Sequence, residues 1–344
     1  MIEIDGQNGE GGGSLLRQAL SLSLYTGKSF RIKNIRKNRP KPGLNAQHLK
    51  SIELAIKVSG SKATGMFIGS EEVQFMPQKI TASKNITLDI GTAGSITLLL
   101  QSVLLPCLLS GQRFKFGITG GTDVSWSPPI DYSDKILFPI LRKISPIELR
   151  LIKRGYYPKG KGSIELKIGG TGTIGKPDFQ MIDSTNLQSI QGLCHASKLL
   201  EGEEIVEKTI KTCTVLLSKY KVPLNIHASY TDTESIGAGL LLYGVLEAST
   251  PSKTSYYKVS GDSLWNPKDD VEKLAENACN LLEIALDMDV PVDKFTTDQL
   301  ISYLGIFGGS IKTTEITEHT KSNIYLTELF LEKKFSVNGT VIKC

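Results

Sequence analysis

The sequence predicts an α/β fold of stacked layers, on three observations. Short strand-like segments alternate with helical ones along the chain. A glycine-rich turn joins the first strand-like segment to an apolar helical stretch. The same strand–turn–helix pattern recurs about 80 residues later, a spacing larger than solenoid periods. A duplicated α/β unit accounts for all three.

The apolar alternation at 2–4 is the first strand. Residues 5–17 read D-G-Q-N-G-E-G-G-G-S-L-L-R, with five glycines around one carboxylate, Glu10. Ser14 opens the helix that follows, and Ser95 opens its counterpart after D-I-G-T-A-G-S at 89–95. Serine suits both places because its oxygen accepts from an early helix N–H. Between the copies lie a strand at 30–35, a helix near 47–59, and strands at 73–75 and 86–90. Residues 95–110 are the most apolar stretch. Thr97, Gln101, Ser102 and Pro106 interrupt them, and they are short for a bilayer, so they read as a buried helix. Further on, 187–197 is strand-like, 203–219 is an amphipathic helix and 224–231 alternates as a strand. The section 180–272 therefore reads as a small domain inserted into a larger one made of 1–179 and 273–344. A helix follows at 271–287, and 322–336 returns to strand-like, apolar patterns.

The 344 residues can bury a real core, and their charged and apolar fractions are those of a globular protein. The first residues lack the basic-then-apolar plan of a signal peptide, so none is expected. Cys107, Cys194, Cys213, Cys279 and Cys344 form no C-x-x-C pair, which argues against a disulfide framework or a structural zinc site. Reduced, cytoplasmic thiols are the expectation. A net charge of +5 permits an anionic partner, and its uneven placement says more. Residues 31–41 carry six basic side chains and no acid, in a loop broken by Pro40, Pro42 and Gly43. Arginine forks bind phosphate bidentately.

A glycine loop that opens a helix presents free N–H groups to an anion, so 5–17 points to phosphate chemistry. Residues 170–176 carry P-loop glycine spacing, but Pro177 stands where the metal-binding hydroxyl belongs, and the match is discounted. G-T-D-V-S-W-S-P-P at 121–129 is a turn-rich loop whose prolines and Trp126 could supply one wall of a base pocket. R-G-Y-Y-P-K-G-K-G at 154–162 has three cations and is compatible with phosphate. His319 sits in a polar patch, E-H-T-K-S-N, whereas His195 and His227 lie in apolar runs and read as structural.

In this order, the motifs resemble the RNA 3′-terminal phosphate cyclase family over essentially the whole chain. The resemblance rests on the glycine run at 5–17, R-x-x-R-x-K-P-G-L-x-x-Q-H at 36–48, G-G-T-D with the prolines at 128–129, the loop at 154–162, Asp298-Gln299, and H-T-x-x-N at 319–323. It implies a large domain of three repeated units, each a four-stranded sheet with two helices, plus a small inserted α/β domain. It also implies ATP-dependent conversion of an RNA 3′-terminal phosphate to a 2′,3′-cyclic phosphodiester, through a histidine–AMP intermediate and then RNA(3′)pp(5′)A, with no membrane involved. By position, His319 would be the nucleophile and Glu10 the ligand of Mg²⁺ or Mn²⁺. Arg17, Arg36 and Arg39 would contact phosphates, with Gln47 and His48 beside them. Gln101, Asp298 and Gln299 would help hold the nucleotide. Pro128 and Phe295 would face adenine, Phe295 replacing the usual tyrosine. Ser14 and Lys161 also depart from the family pattern. A non-catalytic branch acting in ribosome assembly lacks the histidine, and an enolpyruvyl transferase would need no ATP. For the insert, RNA contact and contact within a homodimer are both open.

Overall fold

Strand β1 (Ile2–Asp5) pairs in parallel with β2 (Phe30–Lys33), and α1 (Gly13–Thr26) connects them. After α2 (Ala46–Ser59), β3 (Lys62–Thr64) and β4 (Val73–Met76) add two antiparallel strands, giving the order β1-β2-β4-β3. The structure is a computed structural model and describes residues 1–9, 12–170, 174–250 and 253–344. The candidate P-loop at 170–176 therefore falls partly outside the described residues.

The second unit repeats the plan. β5 (Lys84–Asp89) leads through α3 (Ile96–Gln101) and α4 (Leu104–Leu109) to the parallel β6 (Phe114–Gly120). The region 95–110, expected to be one helix, is two. Pro106 has no N–H to offer the Ser102 carbonyl, so α4 starts afresh. Short turns α5 (Ile130–Tyr132) and α6 (Phe138–Leu141) precede β7 (Ile147–Lys153) and β8 (Gly162–Ile168), in the order β5-β6-β8-β7.

β9 (Gln180–Met181) starts a third unit that is interrupted at once. The chain first builds β10 (Asn186–Ser197), α7 (Ile205–Leu217), β11 (Leu224–Thr231), β12 (Ala238–Thr250), β13 (Lys253–Leu264) and α8 (Val271–Asp287). It then resumes with α9 (Lys294–Phe307), β14 (Ser310–Lys312), α10 (Glu318–Leu331), β15 (Ser336–Asn338) and β16 (Val341–Lys343). β9 pairs in parallel with β14 and the order is β15-β16-β14-β9, the same plan a third time. The fourth sheet, β11-β10-β12-β13, has its own order.

Packing explains these choices. α1 is apolar nearly all round, as a central helix must be, and it packs on α2, α4 and α10. β12 is buried on both faces. Leu240 and Leu242 join the core under α7 and α8, while Leu241 and Tyr243 join the main core. α8, which begins near the boundary expected at 272, places Leu274, Ala278 and Leu282 in the core of the fourth sheet.

Two local readings fail. Ser14 does not cap α1: the N-cap is Gly12, without a side-chain bond, whereas Ser95 does cap α3. The stretch 322–336 is mostly helix, because Asn323, Thr327 and Phe330 bury one face at helical spacing. Among the described residues, no helix is long and apolar enough to cross a membrane.

Candidate active site

Several helix starts open on one cavity of about 950 Å³. At the first, Arg17 of α1 is buried, and its Nε donates to Oε1 of Gln101 at 3.1 Å. Burial pulls Arg17 down to about 10, which still leaves it protonated at neutral pH. No carboxylate pairs with it among the described residues. A buried unpaired cation is costly, so this site is built for an anion.

The second start is capped reciprocally. Asn45 Oδ1 accepts from the His48 N–H at 3.0 Å, and His48 Nδ1 accepts from the Asn45 N–H at 3.2 Å. With Nδ1 accepting, neutral His48 carries its proton on Nε2. Burial, then Arg17 and Arg36, push His48 down to about 3. Gly13 makes room for it: a Cβ there would lie 1.9 Å from His48 Nε2 and 3.0 Å from an Arg17 terminal nitrogen. Gly9 likewise lets the glycine-rich turn abut α10, since a Cβ there would lie 2.1 Å from Ser322 Oγ. Glu10, the expected metal ligand, lies outside the described residues.

Arg36 and Arg39 reach the same cavity from the basic loop. Arg36 adopts a left-handed backbone, φ 54°, and donates from Nη1 to the Gly43 carbonyl at 2.8 Å. Burial and the nearby Arg39 charge both lower its pKa, a repulsion that an anion between them would relieve. Gln47 Oε1 accepts from the Ser95 N–H at 3.4 Å, which ties α2 to the start of α3. Thr97 Oγ1 donates to the Pro128 carbonyl at 2.7 Å and holds that loop to α3.

Across the cavity, Phe295, Asp298 and Gln299 project from α9, and His319 is the second residue of α10. Asp298 bolts the two helices together. Its Oδ1 accepts from Thr317 Oγ1 at 2.6 Å and from Thr320 Oγ1, and its carbonyl accepts from Asn323 Nδ2 at 2.7 Å. Burial raises the Asp298 pKa; the two hydroxyls and the neighbouring His319 oppose that rise. Thus eleven of the twelve residues expected at the site line one cavity, Glu10 being the one outside the description.

The loop at 154–162 is corrected. Arg154 is buried with two carboxylates rather than turned toward a phosphate: Asp123 Oδ2 is 3.1 Å away and Asp131 Oδ2 is 2.6 Å away. Lys161 pairs with Asp89 at 3.3 Å. His195 from β10 completes the cluster. Burial and Arg154 push it down to about 3, Tyr156 donates to its Nδ1 at 2.7 Å, and its Nε2–H faces Asp123 Oδ1 at 3.5 Å. Asp123, Asp131 and His195 lie close enough together to hold a metal, but Arg154 already supplies the positive charge. The cluster braces the 121–129 loop against the fourth sheet.

Sequence reasoning missed Asp262 of β13, which also lines the cavity. No motif marks it; only the fold brings it there. Burial, then Asp293 and Asp123, push its carboxyl up to about 7. A carboxyl whose folded pKa is raised favours the folded state below its unfolded value, near 4, and loses that advantage as pH rises through about 7. Asp262→Asn should therefore lose less stability than wild type between pH 5 and pH 8, by about 1–2 kcal/mol after allowing for partial exposure. Parallel thermal melts at the two pH values check this, and equal losses would refute it. Asn45 was also missed, although its place three residues before His48 is a capping signal.

A family model described as RNA 3′-terminal phosphate cyclase matches residues 8–337. The chain belongs to the RNA 3′-terminal phosphate cyclase family. Relatives bearing that name support the assignment over the full length. The protein of Pyrococcus furiosus is 37% identical over 342 residues, covering 99% of this chain and 96% of that one. That of Pyrococcus abyssi is 38% identical over 347 residues, covering 100% and 97%. That of Methanococcoides burtonii is 40% identical over 344 residues, covering 98% and 96%. Like this cyclase-family chain, each is covered almost end to end, so the match includes the fourth sheet as well as the three repeated units.

Proposed function

We propose that the protein converts an RNA 3′-terminal phosphate to a 2′,3′-cyclic phosphodiester at the expense of ATP. One observation carries the reading: a cavity whose wall holds a buried arginine that no carboxylate pairs among the described residues, two further arginines that repel one another, and a histidine at a helix start. Such a wall suits a triphosphate and a second phosphate together.

In the first step a His319 ring nitrogen attacks the α-phosphorus of ATP. The bond from the α-phosphorus to the bridging oxygen breaks, pyrophosphate leaves, and the imidazole loses its proton. In the second step the RNA 3′-phosphate oxygen attacks that phosphorus and the P–N bond breaks, giving RNA(3′)pp(5′)A. In the third, the vicinal 2′-oxygen attacks the 3′-phosphorus and AMP departs, the hydroxyl proton going to solvent.

Arg17, Arg36 and Arg39 hold phosphates, and His48, neutral with its proton on Nε2, donates beside them. Gln47 and Gln101 set the spacing of that wall. Pro128 and Phe295 flank adenine, while Asp298 and Gln299 fix the nucleotide from α9. Among the described lining residues the carboxylates are Asp262 and Asp298, and Asp298 is committed to threonines. By the family resemblance, Glu10 together with phosphate oxygens would hold Mg²⁺ or Mn²⁺, both oxygen-seeking ions. When bound, the ion neutralises charge on the leaving pyrophosphate. The segment read as an insert at 180–272 contributes Asp262 and stays a separate unit in this proposal.

The test is incubation with α-labelled ATP and a divalent metal, followed by a denaturing gel. Acid-labile, alkali-stable label on the protein is the expected result. Folded protein that takes no label and leaves ATP intact would overturn the reading. Arg36→Ala and Arg39→Ala should each raise the KM for ATP or for RNA by about 10-fold, the worth of one charge-assisted phosphate contact. Steady-state titration of both substrates checks this, and wild-type values for both would make the loop a solvated one.

A further inference from the structure

We propose that Trp126 is a stacking platform for the nucleobase at the 3′ end of the RNA substrate. This deepens the cyclase reading and rests on it. Trp126 is 97% exposed, yet it lines the cavity. Phe67 and Ile68, exposed as well, do not, and Phe295, which does, is far less exposed than Trp126. Its loop is tied down on both sides. Ser127 Oγ donates to the Val124 carbonyl at 2.8 Å, the Ile130 N–H donates to the Thr122 carbonyl at 2.9 Å, and Thr97 holds the Pro128 carbonyl. Trp126 itself is kept in a left-handed backbone, φ 64°, a conformation unusual for a bulky residue. An indole left wholly in water on a restrained loop is poised for an outside partner.

The cavity grades from floor to mouth, and this names the partner. Its aromatic residues run from Tyr132 and Tyr303, both buried, through Phe295 to the exposed Trp126. Its arginines run from buried Arg17 to exposed Arg39. A strand whose terminal phosphate reaches the arginines must leave through the mouth, past the indole. Every base has a π-face, so stacking there anchors the strand end without choosing a sequence. The adenine of ATP is already enclosed by Pro128 and Phe295 in the proposed function.

The experiment compares wild type, Trp126→Ala and Trp126→Phe with an RNA 3′-phosphate and with the same RNA carrying an abasic 3′ nucleotide. Trp126→Ala should raise the KM for intact RNA by about 10- to 100-fold, and Trp126→Phe should restore most of it. Removing the base should cost wild type the same factor and cost the alanine variant nothing more. AMP labelling without RNA is read alongside. A wild-type KM for RNA in Trp126→Ala, or equal losses from base removal in both proteins, would overturn the proposal. Labelling that falls as far as cyclisation would place Trp126 on ATP and overturn it too. An unlabelled wild type would instead remove the cyclase reading, and the proposal with it.

Discussion

His319→Ala should leave no AMP on the protein and should reduce cyclisation by about 10⁴-fold or more, the scale on which an enzyme loses its nucleophile. The substitution is clean. His319 is half-buried at the second position of α10, Thr317 caps that helix, and Asp298 keeps Thr317, Thr320 and Asn323 as partners when the imidazole is removed. Alanine therefore keeps the helix start, and stability should change by no more than about 0.5 kcal/mol. A second measurement separates chemistry from scaffolding. RNA(3′)pp(5′)A supplied ready-made bypasses the P–N bond, so His319→Ala should still close it to the cyclic phosphate. Normal AMP labelling in the variant would remove His319 as the nucleophile. Failure to close the supplied intermediate would give the histidine a further part in the last step.

The largest loss of stability is expected from Arg154→Ala. Asp123 and Asp131 are both buried, and Arg154 bonds to each. Burial alone would lower the Arg154 pKa, but the two carboxylates outweigh it and hold the guanidinium charged. Removing it strands two buried carboxylates, and breaking such a pair typically costs about 3–5 kcal/mol. For a protein of this size the melting temperature should fall by about 4–7 °C. Adding Asp123→Asn and Asp131→Asn should recover part of that loss, because the stranded charges go with them. A fall below about 2 °C for Arg154→Ala would mean that water already reaches the cluster. Activity should suffer as well, since Asp123 and Asp131 flank the loop that carries Trp126 and Pro128.

Much of the candidate site was legible because the motifs that carry the family resemblance are local. The glycine run, the basic loop ending at Gln47 and His48, and the polar patch around His319 each lie within one turn and helix start, where backbone N–H groups need partners. Strand 224–231 and helix 271–287 follow side-chain periodicity alone, and β11 and α8 have those bounds. What escaped depends on distant partners. Arg154 looked like a phosphate ligand because its carboxylates stand 31 and 23 positions away. Asp262 belongs to the cavity only because β13 packs beside α9, where Ser260 donates to Asp293. The strand-like reading of 322–336 failed because Leu326 and Phe330 suit either period, and only burial against neighbouring helices selects the helix.

The interruption between β9 and α9 sets an order of events during synthesis. Gln180 pairs with Ser310, so the third sheet cannot close until the whole of the fourth sheet and α8 has been made. The first two units have no such dependence, since each of their sheets draws on one continuous stretch. A growing chain can thus lay down the arginines and the glycine turn early, whereas the helix bearing His319 comes among the last elements to emerge. An unfinished chain would have a half-built arginine wall without the proposed nucleophile, and on the proposed mechanism it would leave ATP unconsumed.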